Sequence, residues 1–324
     1  MSGALAFKAP GGAEVLAFGE CMVEFRADAQ PAAPDTFIRT FGGDTFNTLA
    51  GLARLGHSCG YISKLGADAF GDYLRAQWAR CRVDATLVGG SEAPTGVYFI
   101  SVGGNGEREF TYYRHGSAAS RFTSSDLPLP EIARASLFYT SGITQAISGS
   151  CRDAVRLAMR CARDHGVVTA FDTNYRSRLV SPQAACEALA DLRGLIDVAF
   201  PSGPEEAETL FGTSEPGEVC ARFIEMGARV VAYKVGSAGC WVATAASPSP
   251  VHVPAVPKAA VDTSGAGDVF NAGFLHGLLS NFDVAEAGEF GNRLAGLKIM
   301  RPGTASALPN DTELRQLMRV ARVD

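Results

Sequence analysis

Two aspartates and two glycines sit at a spacing suited to phosphoryl transfer in Asp262-Thr263-Ser264-Gly265-Ala266-Gly267-Asp268. Gly265 and Gly267 let a backbone turn sharply and aim its N–H groups into open space, and such amides at a helix start bind anions. A carboxylate placed among them would repel a bound anion, so Asp268 reads as a base that takes a proton there. A plain helix cap is the competing reading. The dinucleotide fingerprint fails, because the glycine after Gly267 is Gly273, and no G-x-x-x-x-G-K-[ST] occurs.

Four further groups could serve such a site. Gly42-Gly43-Asp44-Thr45-Phe46-Asn47 leads into an Ala/Leu helix closed by Gly56. Asp44 or Thr45 could simply cap that helix. Yet Asp44 and Asn47, three apart, project from one exposed first turn where they could bind a ligand's hydroxyls, while Gly42 and Gly43 admit a ligand to the backbone. Tyr98, Tyr112 and Arg114 lie on two strands of a hairpin, the last two on one face. Cross-strand packing accounts for Tyr113, whereas the guanidinium of Arg114 is the natural partner of a carboxylate. Asp172-Thr-Asn174-Tyr-Arg176 ends a strand, where open α/β sheets bind ligands. Arg176 could stabilise a transferring phosphoryl group or be an ordinary exposed loop residue. Lys234, Gly236 and Gly239 follow another strand, and for Lys234 a strand-end surface charge is the alternative.

The elements around these groups alternate. Val15–Gly19, Tyr61–Leu65, Leu137–Ser141, Val167–Asp172, Val198–Pro201 and Val230–Lys234 read as short buried strands. Helices are expected at 68–80, 151–165, 182–193, 204–211 and 216–227. That alternation implies βαβ units and a parallel sheet. Residues 95–102 and 109–114 form a hairpin about Gly103-Gly-Asn-Gly106, and with the extended, Pro-rich stretch near 22–40 they could build a small second sheet. Ser247-Pro-Ser-Pro250 reads as a loop, and residues 1–12 as a disordered tail without signal-peptide character.

Composition narrows the class. At 324 residues, 47% hydrophobic and 19% charged, the chain can bury one large core. A net charge of −5 with scattered basic residues argues against nucleic-acid or membrane-surface partners. No apolar run is long enough to span a membrane. The eight cysteines show no C-x-x-C pair and sit in apolar or helical contexts, which favours free thiols in a reduced cytoplasm.

The 262–268 segment resembles the C-terminal signature of the ribokinase-like (PfkB) carbohydrate kinases, and Gly42-Gly43, Asn47 and Ala53-Arg-Leu-Gly56 match the N-terminal one. The resemblance spans about 15–309, with a kinase domain set at 13–309. It implies a three-layer α/β/α fold, a central mainly parallel sheet and a small β lid from segments near 22–40 and 92–117. It implies Asp268 as catalytic base, Gly265, Ala266 and Gly267 as phosphate-holding amides, and Asn174, Lys234, Gly236, Gly239 and Thr263 toward ATP. Ser202-Gly-Pro-Glu205 takes the place of an N-x-x-E segment whose Glu organises hydrated Mg2+; Ser202 departs from the usual Asn. Within the family, Gly-Gly-Asp-Thr-Phe-Asn and Tyr-Tyr-Arg are most similar to 2-keto-3-deoxygluconate kinases, which implies that Tyr98, Tyr112 and Arg114 hold a sugar acid. ATP and Mg2+ are the expected cofactors, and a monovalent cation beside the anion loop stays open. Lid edges need covering, so a homo-oligomer joined through the lid is expected. A neutral-sugar kinase and a non-catalytic sugar-binding regulator remain the alternatives.

Overall fold

The computed structural model describes residues 5–27, 36–102 and 108–320. In chain order its strands are β1 (Val15–Phe18), β2 (Met22–Ala27), β3 (Phe37–Gly42), β4 (Cys59–Gly66), β5 (Val83–Asp84), β6 (Val88–Ser91) and β7 (Val97–Val102). Then follow β8 (Arg108–Tyr113), β9 (Leu137–Ser141), β10 (Val168–Asp172), β11 (Val198–Phe200), β12 (Val230–Lys234), β13 (Cys240–Thr244) and β14 (Ser247–Val253).

The main sheet runs β14-β13-β12-β11-β10-β9-β1-β4-β5, with β6 also on β4. It is parallel from β12 to β5, and β13 and β14 are antiparallel additions. Every residue of β9, β10 and β12 is buried, as expected for parallel strands covered on both faces. The period-2 alternation of β1 divides its side chains between two cores. Val15 and Ala17 join the helices Asp44–Arg54, Ala69–Arg80, Ala266–Leu279 and Val284–Lys298 on one side. Leu16 and Phe18 join Gly149–Asp164 and Pro216–Glu225 on the other. The three-layer α/β/α architecture follows from that division.

A separate four-stranded sheet, ordered β3-β2-β7-β8, stands off the main one as the lid. Its β2–β3 and β7–β8 pairs are antiparallel and β2–β7 is parallel. The expected hairpin turn at 103–106, the Pro-rich stretch 28–35 and residues 1–4 lie outside the described residues.

Two local expectations are corrected. Ser247-Pro-Ser-Pro250 is not a loop but the first part of β14, paired antiparallel with β13. Because β14 is a sheet edge, Pro248 and Pro250 remove N–H groups that no neighbouring strand would have used. Nor is 5–12 a free tail. Leu5 is buried in the core, Lys8 O accepts from Ser136 Oγ at 2.6 Å, and Gly11 N donates to Arg134 O at 2.9 Å. The eight cysteines are free thiols, and no described helix is long and apolar enough to cross a membrane.

Candidate active site

The helix Asp44–Arg54 is located by aromatic packing and by close contact with a second helix. Phe46 stacks on Trp78 at 5.2 Å and meets Tyr61 edge-on at 5.3 Å. A Cβ added to Gly51 would lie 2.6 Å from Ala272 Cβ, so this helix crosses Ala266–Leu279 almost backbone to backbone. The crossing carries Asn47 onto Asp268, where Nδ2 donates to Oδ2 at 2.8 Å, and Thr48 Oγ1 donates to the Asp268 carbonyl at 3.0 Å. The first turn is therefore not exposed; Asp44 and Asn47 are both buried. The role expected of the glycines also changes. A Cβ on Gly43 would stand 2.2 Å from Glu20 O, and one on Gly42 would meet Thr304 Oγ1 at 2.7 Å and Tyr98 Oη at 2.8 Å. Both glycines make room for the chain itself where a Cβ would stand.

The anion loop is built by local geometry. Gly265 has φ +73°, the left-handed conformation glycine adopts freely, and caps the helix Ala266–Leu279. Asp262 ties the loop down, its Oδ1 accepting from Ser264 N at 2.9 Å and its Oδ2 from Gly303 N at 2.8 Å. The Ala266 amide is spent inside the turn on Thr263 O at 3.1 Å, so it does not face an anion. Gly267 and Asp268 open the helix, where amides lack intrahelical acceptors. The helix start alone would keep the Asp268 carboxyl ionised; the tertiary surroundings reverse that expectation. Burial, and then the charge of Asp44, push it up to about 7, while the Asn47 hydrogen bond pulls the other way.

Neighbouring strands end on the remaining polar groups: Ser141 closes β9, Asp172 closes β10 and Lys234 closes β12. Ser141 Oγ and Asn174 Nδ2 (the latter at 3.2 Å) both donate to Asp44 Oδ2. Lys234 is no surface charge. It is buried, donates to Asp172 Oδ2 at 2.8 Å, and lies 3.6 Å from where a Gly267 Cβ would be, beside the anion loop. Asn271, one turn after Asp268, donates to the same Asp172 oxygen at 2.6 Å and to Tyr139 Oη at 3.0 Å. Gly236 and Gly239 shape the β12–β13 turn, and a Cβ on Gly239 would stand 2.2 Å from Val253 O. Thr263 and Gly236 are exposed, which leaves this flank open.

The acidic residue facing the site is Glu206, not Glu205. Successive helical side chains diverge by roughly 100°, and in the helix Glu205–Phe211 it is Glu205 that points to solvent. Glu206 accepts from Tyr175 N at 2.8 Å, from Ser202 N at 3.2 Å and from Thr173 Oγ1. Burial, then the neighbouring Asp172, raises its carboxyl above the usual range. Among the described residues no three His, Cys, Asp or Glu converge closely enough to hold a metal ion. Asp172 Oδ1, however, is buried without a partner. That free acceptor and nearby Glu206 suit the water shell of a Mg2+ carried on phosphates, so the donor set fits a hydrated ion.

Across the mouth lies the lid. Tyr98 is buried, its hydroxyl donates to Glu24 Oε2, and its ring stacks on Tyr112 at 5.5 Å. Its hydroxyl is therefore already committed within the lid. Arg114 Nη2 pairs with Glu20 Oε2 at 2.6 Å, and Glu20 Oε1 accepts from Ser117 Oγ at 2.7 Å. Burial raises the Tyr112 hydroxyl, while the charges of Arg176, Arg114 and Arg178 all act to lower it. The charges of three guanidinium groups thus act on one lid tyrosine. Arg176 is exposed, and Arg178 reaches the lid through Phe110 O at 2.8 Å. Sequence reasoning had not singled out Arg178, Glu206, Asn271 or Glu20. The i+3 spacing of Asn271 from Asp268 was the one available signal.

A family model described as pfkB family carbohydrate kinase matches residues 13–311. The chain is 32% identical over 314 residues to the 2-dehydro-3-deoxygluconokinase of Bacillus subtilis (strain 168), covering 95% of this chain and 96% of that one. It is 29% identical over 321 residues to Fructokinase-1 of Oryza sativa subsp. japonica, covering 95% and 98%. An E. coli structure described as a ribokinase II in complex with ATP and Mg2+ superposes with a TM-score of 0.84 at 26% identity, covering 95% of this chain and 99% of that one.

Proposed function

The chain belongs to the pfkB family of carbohydrate kinases and is an ATP-dependent sugar kinase; from that premise we propose that its acceptor is the sugar acid 2-keto-3-deoxy-D-gluconate, phosphorylated to the 6-phosphate. The observation that carries the reading is a pair of arginines tied to the lid, Arg178 Nη1 donating to Phe110 O at 2.8 Å and Arg114 held on Glu20, with the charges of both and of Arg176 acting on Tyr112. A neutral sugar needs no such charge, whereas a carboxylate does. The name of the B. subtilis relative supports the same acceptor. The rice fructokinase is nearly as similar, so a neutral hexose is the rival acceptor.

Asp268, at the start of Ala266–Leu279 and held by Asn47, takes the hydroxyl proton as the acceptor oxygen bonds to the γ-phosphorus. The bond to the β-phosphate oxygen breaks and ADP leaves. With its pKa near 7 the carboxyl is matched to a neutral working pH. The free amides of the loop, Lys234 and Arg176 supply positive potential along the transferring phosphate. Asp172 and Glu206 would hold the water shell of a Mg2+ carried on ATP, which would neutralise phosphate charge. Closing the lid over the mouth excludes water, which competes as acceptor.

A coupled ATP-to-ADP assay over keto sugar acids, aldonic acids, fructose and ribose tests the reading. The keto sugar acid should lead by at least about ten-fold in kcat/KM, and a lead for fructose or ribose refutes it. Absence of turnover on every sugar would favour a non-catalytic binding role. The lid also supports a homo-oligomer. Its two edge strands expose Phe37 and Ile38 on β3 and Tyr113 on β8, the last at 64%. Sedimentation at micromolar concentration should give a dimer or larger that a Phe37→Lys/Tyr113→Lys variant dissociates; a monomeric wild type removes the idea.

A further inference from the structure

Lys298, the last residue of the helix Val284–Lys298, has no exposed surface at all. A wholly buried ammonium is costly unless its donors are met and its charge is used. Its Nζ donates to the backbone carbonyl of Asp262 at 2.9 Å, the first residue of the anion loop. Other oxygens of the same two segments hold backbone amides. The Asp262 carboxylate takes the amides of Ser264 and Gly303, at 2.9 and 2.8 Å, and Ile299 O takes those of Val261 and Asp262, at 2.8 and 3.0 Å. Such an oxygen-rich niche behind a phosphate loop is where a monovalent cation could stand. Here an ammonium attached to the chain already bonds to the Asp262 carbonyl within it.

We infer that Lys298 is the built-in cation of the anion loop: its charge braces the 262–265 turn and adds positive potential behind the Gly267 and Asp268 amides, so the enzyme needs no free monovalent cation. Resting on the kinase reading above, the inference makes Lys298 a positioning residue that never touches substrate. Its covalent tether lets the loop keep its shape when K+ is absent. The helix Val284–Lys298 packs along Ala266–Leu279, with Gly273 and Gly291 so close that a Cβ on Gly273 would lie 2.8 Å from Gly291 Cα. The ammonium and the base are thus mounted on two helices that move as one.

The test uses the full chain in KCl, NaCl and tetramethylammonium chloride at equal ionic strength, reading both turnover and thermal melting. Wild type should change by less than about two-fold in kcat among the three salts, with an unchanged melting temperature. Lys298→Met should lose kcat by about 10- to 100-fold with the KM for ATP nearly unmoved. Lys298→Ala, which opens a niche, should regain rate and melting temperature with added K+ or methylammonium, as binding to the folded state predicts. A wild type that needs K+ for rate or for stability overturns the inference. So does a Lys298→Met enzyme with full kcat, or a folded Lys298→Ala variant that neither ion restores. If wild type phosphorylates no sugar, the kinase reading fails, while the melting arm still decides the role of Lys298. If both variants fail to fold, the salt response of wild type alone decides.

Discussion

Replacing Asp268 by Asn lowers kcat by about 10³-fold and at the same time makes the protein harder to unfold at pH 8. The first effect is the loss of a base worth two to four orders of magnitude. Asn keeps the shape and still accepts the 2.8 Å hydrogen bond from Asn47, so binding of either substrate should change little. The second effect comes from burial. A carboxyl raised to about 7 holds its proton more tightly folded than unfolded. Between pH 4 and 7 the folded state therefore binds more protons, and stability falls as pH rises through that window. Above it wild type carries the full cost of a desolvated charge, at most about 4 kcal/mol for a shift of this size. The Asn variant escapes that cost, so its advantage in chemical denaturation is present at pH 8 and gone near pH 4. The same linkage fixes the pH–rate profile. Log kcat/KM of wild type rises toward a plateau with an acid limb near pH 7, and Asp44→Asn moves that limb to lower pH by removing the largest charge acting on the base. Wild-type turnover in Asp268→Asn, or an unmoved limb in Asp44→Asn, would sink the assignment.

Arg114→Ala reduces kcat/KM for the keto sugar acid by about 10²- to 10³-fold and that for fructose far less. Breaking a buried ion pair by removing one partner typically costs about 3 to 5 kcal/mol. In the free protein one edge of this guanidinium already holds Glu20, whose side chain is 1% exposed. The Nε of Arg114 is buried with no hydrogen-bond partner, so donor capacity remains for a substrate carboxylate. Removing Arg114 also strands Glu20 as an uncompensated buried charge, and the melting temperature should fall. The ratio of the two substrates is independent of the fraction of active enzyme, which separates recognition from folding. Adding Glu20→Gln should recover the melting temperature without recovering the preference for the acid. Equal losses on both sugars would refute the carboxylate role and return fructose as the leading acceptor.

Much of this was readable from local chemistry. Short apolar strands between amphipathic helices announced the parallel sheet, because a strand buried on both faces has few other compositions. Gly265 and Gly56 were placed by the backbone conformations that helix ends require. What local reasoning missed involved partners distant in sequence. Pro248 and Pro250 looked like a loop because proline cannot serve a central strand, and nothing local marks a strand as an edge. Leu5 looked like a tail because its core lies far along the chain. The N-x-x-E resemblance points to Glu205, although one residue on a helix decides which face a carboxylate takes.

The amino-acid sequence by itself marked residues 262–268 as the place where a hydroxyl and a phosphate would meet, since turn geometry, helix-start amides and an adjacent carboxylate are properties of a few consecutive residues. Only the tertiary structure decided how those groups behave. The helix start argued for an ionised Asp268, yet burial beneath the helix Asp44–Arg54 and the approach of Asp44 carry it to about 7. Lys234 looked free and is buried against Asp172, and Arg114 looked open and is half-engaged by Glu20. Lys298, some thirty residues beyond the loop, proves to stand directly behind it. Desolvation and Coulomb interaction depend on which groups come within a few ångströms, and the fold alone sets those distances.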